Sequence, residues 1–180
     1  MRIRLLALAI SLLILPTMGQ AALRGTPDET FRYVSHEEIA KRQMEAGSLG
    51  ICTDKLGAAD ALADARIDSI LIPSPVVTDR GMTRLIALVE RLRELMVVCD
   101  NAEIAARLNA AAAVGGKVLK VLVDIDPGMG RTGIAPGDAA MALVQQVANA
   151  CYLEYAGIQC YAGNLQHLDS PNERRDASFS

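Results

Sequence analysis

Hydrophobic positions along this chain follow two alternating rhythms. Short apolar, β-branched runs of strand length occur at Leu49–Thr53, Ser69–Pro73, Met96–Asp100, Val118–Asp126 and Tyr155–Tyr161. Between them, apolar residues recur with helical spacing near His36–Ala46, Gly57–Ala65, Thr83–Leu95, Ala102–Val114 and Asp138–Ala148. Asp100-Asn101 supplies a cap for the fourth helix, and Pro136 sets the start of the fifth. His36 reads as a helix-start residue. After His167 another helix begins around Asn172-Glu-Arg-Arg175. A strand–helix series of this kind predicts an α/β fold with a parallel sheet. About five strands cannot close an eight-stranded barrel. The pattern leaves two architectures open: an open doubly wound sheet, or part of a longer barrel.

The 180 residues suffice for one domain with a core. Half of them are apolar, yet only 3% are aromatic and there is no Trp. Aliphatic, Ala-rich cores of this sort suit helices packed on parallel sheets. A net charge of −3 gives no reason to expect a nucleic-acid partner.

The N-terminus stands apart. Met1-Arg-Ile-Arg4 is basic, Leu5 to Leu15 is apolar apart from Ser11, and Pro16 ends the run. Gly19-Gln-Ala21 offers small residues for cleavage. Residues 1–22 therefore read as a secretory signal peptide, leaving 23–180 as the domain. The run is shorter than the ~20 residues that span a bilayer, so no stable membrane span is expected. With no twin arginine, a Sec-type route to the periplasm or exterior is implied. The alternative is a misplaced start codon and a cytoplasmic protein.

Cys52, Cys99 and Cys160 fall on three different expected strands. In sequential order, neighbours in that set lie two strands apart, ~9.6 Å at ~4.8 Å per strand. A disulfide tolerates Cα separations only up to ~7 Å, so free buried thiols are expected.

The chemistry concentrates in Val121-Leu-Val-Asp-Ile-Asp-Pro-Gly-Met-Gly-Arg-Thr-Gly133. A buried strand ends in Asp124 and Asp126, which alternation puts on one face, and a glycine loop carries Arg131. This is the C-terminal strand end, where parallel α/β proteins hold their sites. Two carboxylates beside one cation suit a catalytic or cofactor-positioning set, or a structural ion pair. Tyr161, Gln166 and His167 follow the last strand and suit phosphate binding or proton transfer, or else an exposed loop with a packed Tyr. Gly128-Met-Gly-Arg-Thr-Gly133 also matches a dinucleotide fingerprint, with Glu154 as its acid. The context fits poorly, because Pro136-Gly137 places the helix start after the glycines and Glu154 precedes its strand. Two distant histidines give no metal-ligand spacing. Asn109, Asp64 and the charges between Arg80 and Arg93 read as solvated helix faces.

Together these motifs resemble the D-threonine aldolase / D-serine dehydratase family, which depends on pyridoxal phosphate and has an alanine racemase-type N-terminal barrel. The resemblance runs from about Glu38 to Ser170. It rests on Ile39-Ala-Lys-Arg-Gln43, Gly50-Ile-Cys52, Ala59-Asp-Ala-Leu-Ala-Asp64, Ile70-Leu-Ile72, Val123-Asp-Ile-Asp126 with Gly128-Met-Gly-Arg131, and Gly157-Ile-Gln159 with Tyr161 and Gln166-His167. Alanine racemases share the glycine loop but carry a Lys where this chain has Asp124. The resemblance implies a partial TIM-type (β/α) barrel of about five to six parallel strands. It implies Arg131 beside the pyridine ring and its 3′-oxygen, and Tyr161, Gln166 and His167 along the cofactor or substrate side, with Asp124 and Asp126 nearby.

In that family a first-strand Lys forms a Schiff base with the cofactor. Counting back without gaps, its position falls on Arg32, and a guanidinium cannot form that imine. Lys41, Lys55, Lys117 and Lys120 are poor substitutes. Family members also hold a divalent metal through C-terminal residues that this chain does not carry. The resemblance therefore implies a lyase acting on D-3-hydroxy amino acids, as a homodimer or otherwise, and expected to be inactive alone. An exported module binding a small anion between Arg131 and His167 is the alternative reading.

Overall fold

The computed structural model describes residues 36–178. The expected signal peptide and Arg32 lie outside the described residues. In order, the elements are α1 (His36–Glu45), β1 (Ile51–Cys52), α2 (Leu56–Asp64), β2 (Ser69–Ile72), α3 (Asp79–Arg91), β3 (Glu94–Cys99), α4 (Ala102–Gly115), β4 (Leu119–Ile125), α5 (Asp138–Asn149), β5 (Leu153–Cys160), a 3₁₀ turn (Gly163–His167) and α6 (Pro171–Ala177). The strands form one parallel sheet in the order β1-β2-β3-β4-β5.

Burial separates the two architectures that the sequence left open. Alternate strand residues Ile70, Ile72, Val97, Cys99, Val121 and Val123 share one core with Leu62, Leu85, Leu88, Leu108, Leu143 and Val147 from the helices. All the crossing helices thus cover the same face, and a doubly wound sheet would have them on both. The opposite face carries a small cluster of Leu71, Val98 and Leu122, with Met96 and Ala156 against it. This is an arc of a TIM-type barrel, not closed, with helices outside and an interior filled in layers.

The interior layers differ in polarity. At the N-terminal end of the strands, Lys120 Nζ donates to Glu94 Oε1 at 2.7 Å, and Ser69 Oγ donates to Glu94 Oε2 at 3.3 Å. The Lys120 hydrogen bond holds the Glu94 carboxyl below its ordinary range. The Leu71–Val98–Leu122 layer lies above. At the C-terminal end the layer turns polar again, with Asp124 and Gln159 paired across β4 and β5.

Several sequence boundaries move. The third helix is Asp79–Arg91 rather than Thr83–Leu95, because the Thr78 side chain caps it by accepting from the Gly81 amide. Leu92 is already extended, and Glu94 and Leu95 belong to β3, which ends at Cys99. The first strand shrinks to Ile51–Cys52, with Leu49 exposed beside this sheet edge. Asp126 lies one residue past β4, and Glu154 is the second residue of β5 rather than preceding it. Asn101 caps α4 through the Ile104 amide, as expected.

All four cysteines are unpaired, but only Cys99 is buried. Burial pushes its thiol up to about 11. Cys52 and Cys160 end the two edge strands and are exposed, which corrects the expectation of buried thiols there. The helix-face charges are more organised than expected. Arg84 and Arg91 both bridge Asp60, Arg91 also reaches Asp64, and the Asn109 side chain accepts from the Tyr152 amide before β5. Among the described residues, no helix is long and apolar enough to cross a membrane.

Toward its C-terminal end the outer face of β5 is bare: Ile158 is 57% exposed, whereas Leu85 is fully buried. Leu85→Ala should therefore cost about 2–5 kcal/mol, and Ile158→Ala should change stability by no more than about 0.5 kcal/mol. Urea denaturation of the two variants measures both, and a comparable loss in each would contradict this burial pattern.

Candidate functional site

The site is built at the C-terminal ends of β4 and β5, and an irregularity in β5 sets it up. Val121 pairs with Tyr155, but Leu122 pairs with Gly157, so Ala156 is an extra residue. Tyr155 packs on the helix side. Plain alternation would put Gly157 and Gln159 on that side too. The bulge resets the phase, so Gln159 pairs with Asp124 and faces the interior. Gly157 adopts φ +134, which side-chain-bearing residues rarely do.

Gln159 Nε2 donates to Asp124 Oδ1 at 3.0 Å and to the Pro73 carbonyl at 3.2 Å. Pro73 follows β2, three strands from β5, roughly 14 Å along a flat sheet. A single amide spans that separation only because the sheet curls. Thr132 Oγ1 donates to the other oxygen, Asp124 Oδ2, at 2.9 Å. Asp124 is 2% exposed. Burial raises its pKa, the bonds from Gln159 and Thr132 oppose the rise, Asp100 adds to it and Arg131 lowers it. Gln159 Oε1 is buried and has no partner among the described residues.

Asp126 does something else. Its carboxylate accepts from the amides of Gly128 (2.9 Å), Met129 (2.7 Å) and Gly130 (3.0 Å). Pro127 has no amide hydrogen, so these are the first three available. The base of the loop is pinned by Asp126 N to Ile134 O (3.0 Å) and Ile134 N to Asp124 O (2.9 Å). A Cβ on Gly133 would lie 2.5 Å from the Asp126 nitrogen. The glycine spacing is thus explained by the turn itself. The amides that a dinucleotide would need already hold a carboxylate, and α5 starts only at Asp138.

Arg131 projects from this loop over the Tyr161 ring, 5.3 Å from its centroid, a cation–π contact. The Gly163 amide donates to Met129 Sδ at 3.2 Å, joining the loops after β4 and β5 a second time. No ion pair to Arg131 is present among the described residues. Gln166 and His167 are exposed on the 3₁₀ turn.

The expected set is therefore divided. Asp124 stays at the strand end, Asp126 is a loop cap rather than its partner, and Arg131 pairs with Tyr161. Thr132 and Gln159 were not foreseen as site residues. Gln159 was visible only within the Gly157-Ile-Gln159 motif, and alternation pointed it the wrong way. Lys41 and Lys55 are exposed on or before helices, Lys117 lies 3.8 Å from Glu90, and Lys120 is bound to Glu94 at the opposite strand end. No group of three or more His, Cys, Asp or Glu that could hold a metal ion occurs among the described residues.

A family model described as the alanine racemase N-terminal domain matches residues 33–179. The chain belongs to that family. It is 33% identical over 139 residues to a D-threonine aldolase of Arthrobacter sp., covering 77% of this chain and 36% of the relative. It is 34% identical over 143 residues to a 3-hydroxy-D-aspartate aldolase of Paracoccus denitrificans, covering 78% and 37%. The crystal structure of D-threonine aldolase from Filomicrobium marinum superposes with a TM-score of 0.76 at 37% identity, covering 78% of this chain and 38% of that one. The chain thus spans little more than a third of the length of these relatives.

Two outcomes follow from the site. A Cβ at Gly157 would find space, with Leu122 3.7 Å away, but the backbone would be strained. Gly157→Ala should cost about 1–3 kcal/mol in chemical denaturation, and a neutral result would argue against the bulge. Asp124→Asn tests the buried charge. An acid whose pKa is raised on folding holds its proton more tightly in the folded chain. Stability of the unmodified chain should then fall as pH rises from the ordinary carboxylate range through the raised value. The Asn variant lacks that slope, so it should be the more stable protein at neutral pH, with the difference closing in acid. Denaturation curves across pH that run parallel would refute the assignment.

Proposed function

We propose that this chain is the N-terminal (β/α) part of a pyridoxal-phosphate-dependent lyase acting on D-3-hydroxy amino acids. The observation that carries the reading is the 37% identity and TM-score of 0.76 to a D-threonine aldolase over 78% of this chain, beside a family match at residues 33–179 that takes in Asp124, Arg131 and Gln159. Two relatives whose names specify aldolases of D-hydroxy amino acids support it.

The residues fit the cofactor in part. The buried, unpartnered carbonyl of Gln159 and the cation of Arg131, with no ion pair among the described residues, stand at the strand ends, as an interior ligand site requires. Arg131 and Tyr161, with Gln166 and His167 further along the same loop, are the residues that would hold it. Pyridoxal phosphate, when bound, supplies the electron sink for the bond that breaks. Arg131 leans on the Tyr161 ring and sets a positive edge on the mouth, and Thr132 and Gln159 hold the Asp124 carboxylate by hydrogen bonds.

The amine does not fit. The sequence holds four lysines, and none lies at the C-terminal mouth of the strands. We therefore propose that the chain as written does not attach the cofactor covalently and is catalytically silent. Mixing the full chain with one equivalent of pyridoxal phosphate should give no near-visible imine absorbance and no borohydride-stable adduct on Lys41, Lys55, Lys117 or Lys120. Arg32→Lys restores the amine where the family places it and should create both signals, with the adduct mapped to residue 32. A site-specific adduct in the unmodified chain would overturn the silent reading. Absence of any adduct in Arg32→Lys would overturn the family site.

A further inference from the structure

The polar layer at the top of the barrel arc contains two acceptors with no cation between them. Asp124 is buried, and both of its oxygens accept hydrogen bonds, as an ionised carboxylate does. Its two donors, Thr132 and Gln159, are neutral. No ion pair to Asp124 exists among the described residues, and Arg131, whose charge acts on Asp124 without a direct bond, lies over the Tyr161 ring. Buried charges are ordinarily paired, because leaving them unpaired is costly.

The second observation is independent of the charge. Gln159 is 8% exposed, and Oε1 has no donor. Both hydrogens of its Nε2 are committed, to Asp124 and to Pro73. The amide therefore cannot turn over to relieve Oε1 without losing two bonds. An amide locked with its carbonyl unsatisfied, bonded through its nitrogen to an unpaired carboxylate, presents two acceptors to one place. A protonated amine meets both, with up to three donors and a positive charge. A metal dication would need further oxygen ligands, and an anion would be repelled.

We infer that Asp124 and Gln159 form a subsite for a small ligand's ammonium group, with Asp124 supplying the countercharge and Gln159 Oε1 a second acceptor. The inference deepens the proposed function, since a D-3-hydroxy amino acid carries such a group, and it rests on that reading only for the identity of the natural ligand.

The test uses the full chain without cofactor and 2-aminoethanol as the probe, which has an ammonium and a hydroxyl but no carboxylate. Ethylene glycol at equal ionic strength is the neutral control. Titration should produce saturable thermal stabilisation with the amine alone, and the Gln159 side-chain amide resonance should move with the same dissociation constant. Asp124→Asn keeps an acceptor toward Gln159 and an amide toward the Thr132 hydroxyl, so it should fold and bind the amine at least tenfold more weakly. Gln159→Met, which lacks Oε1, should also weaken binding. Equal binding by Asp124→Asn, equal effects of amine and glycol, or an unmoved Gln159 resonance would each overturn the subsite. Because no cofactor is present, failure here is separable from failure of the Arg32→Lys experiment.

Discussion

One extra residue in β5 controls what this molecule presents to the interior of its barrel. If Ala156 took an ordinary paired place in the β4–β5 ladder, plain alternation would carry the phase of Tyr155 on to Gln159, and Gln159 would point among the helices. With Ala156 as the extra residue, the amide reaches Asp124 on the neighbouring strand and Pro73 beyond β2. That single side chain thus reads the position of three strand ends at once. It satisfies part of a buried carboxylate, and its reach to Pro73 records how tightly the sheet is curled. The glycine that follows the extra residue makes the irregularity affordable to the backbone.

Around this tie, the layers divide the work. The helix-facing residues are nearly all aliphatic and give the sheet its burial. The interior has polar groups at both ends and a thin apolar layer between them. At the N-terminal end, Lys120 and Glu94 neutralise each other and leave nothing for a ligand. At the C-terminal end, the acceptors outnumber the donors. The asymmetry follows from which residue type sits at each inward position, and it places the chemistry at the end where parallel β/α folds keep it.

Much of this arrangement could be read from residues alone. The β-branched runs, the cap at Asn101 and the helix-start signal at Pro136 located the elements, because helix starts and buried strands leave local marks. The paired aspartates and the glycine loop marked the right strand end. What could not be read depends on phase and on distant partners. Glu94 and Leu95 continued a helical period and turned out to be strand, since the helix began earlier at a threonine cap. Asp126 seemed to share a role with Asp124 because alternation put them on one face, yet the chain leaves the strand at that point and turns the carboxylate back on its own amides. Gln159 was hidden by a one-residue phase change that alternation does not register, and Thr132 by a contact across a turn.

The cap formed by Asp126 has a thermodynamic corollary for any guest at the mouth. A glycine-rich turn that lacked an internal anion would be floppy when empty and would have to be ordered by whatever docks against it. This turn carries its own anion, bonded to three of its amides, so its backbone is preorganised before any encounter and carries Arg131 with it. The same arrangement closes those amides to a phosphoryl group, so a phosphorylated guest must find its grip on another part of the rim.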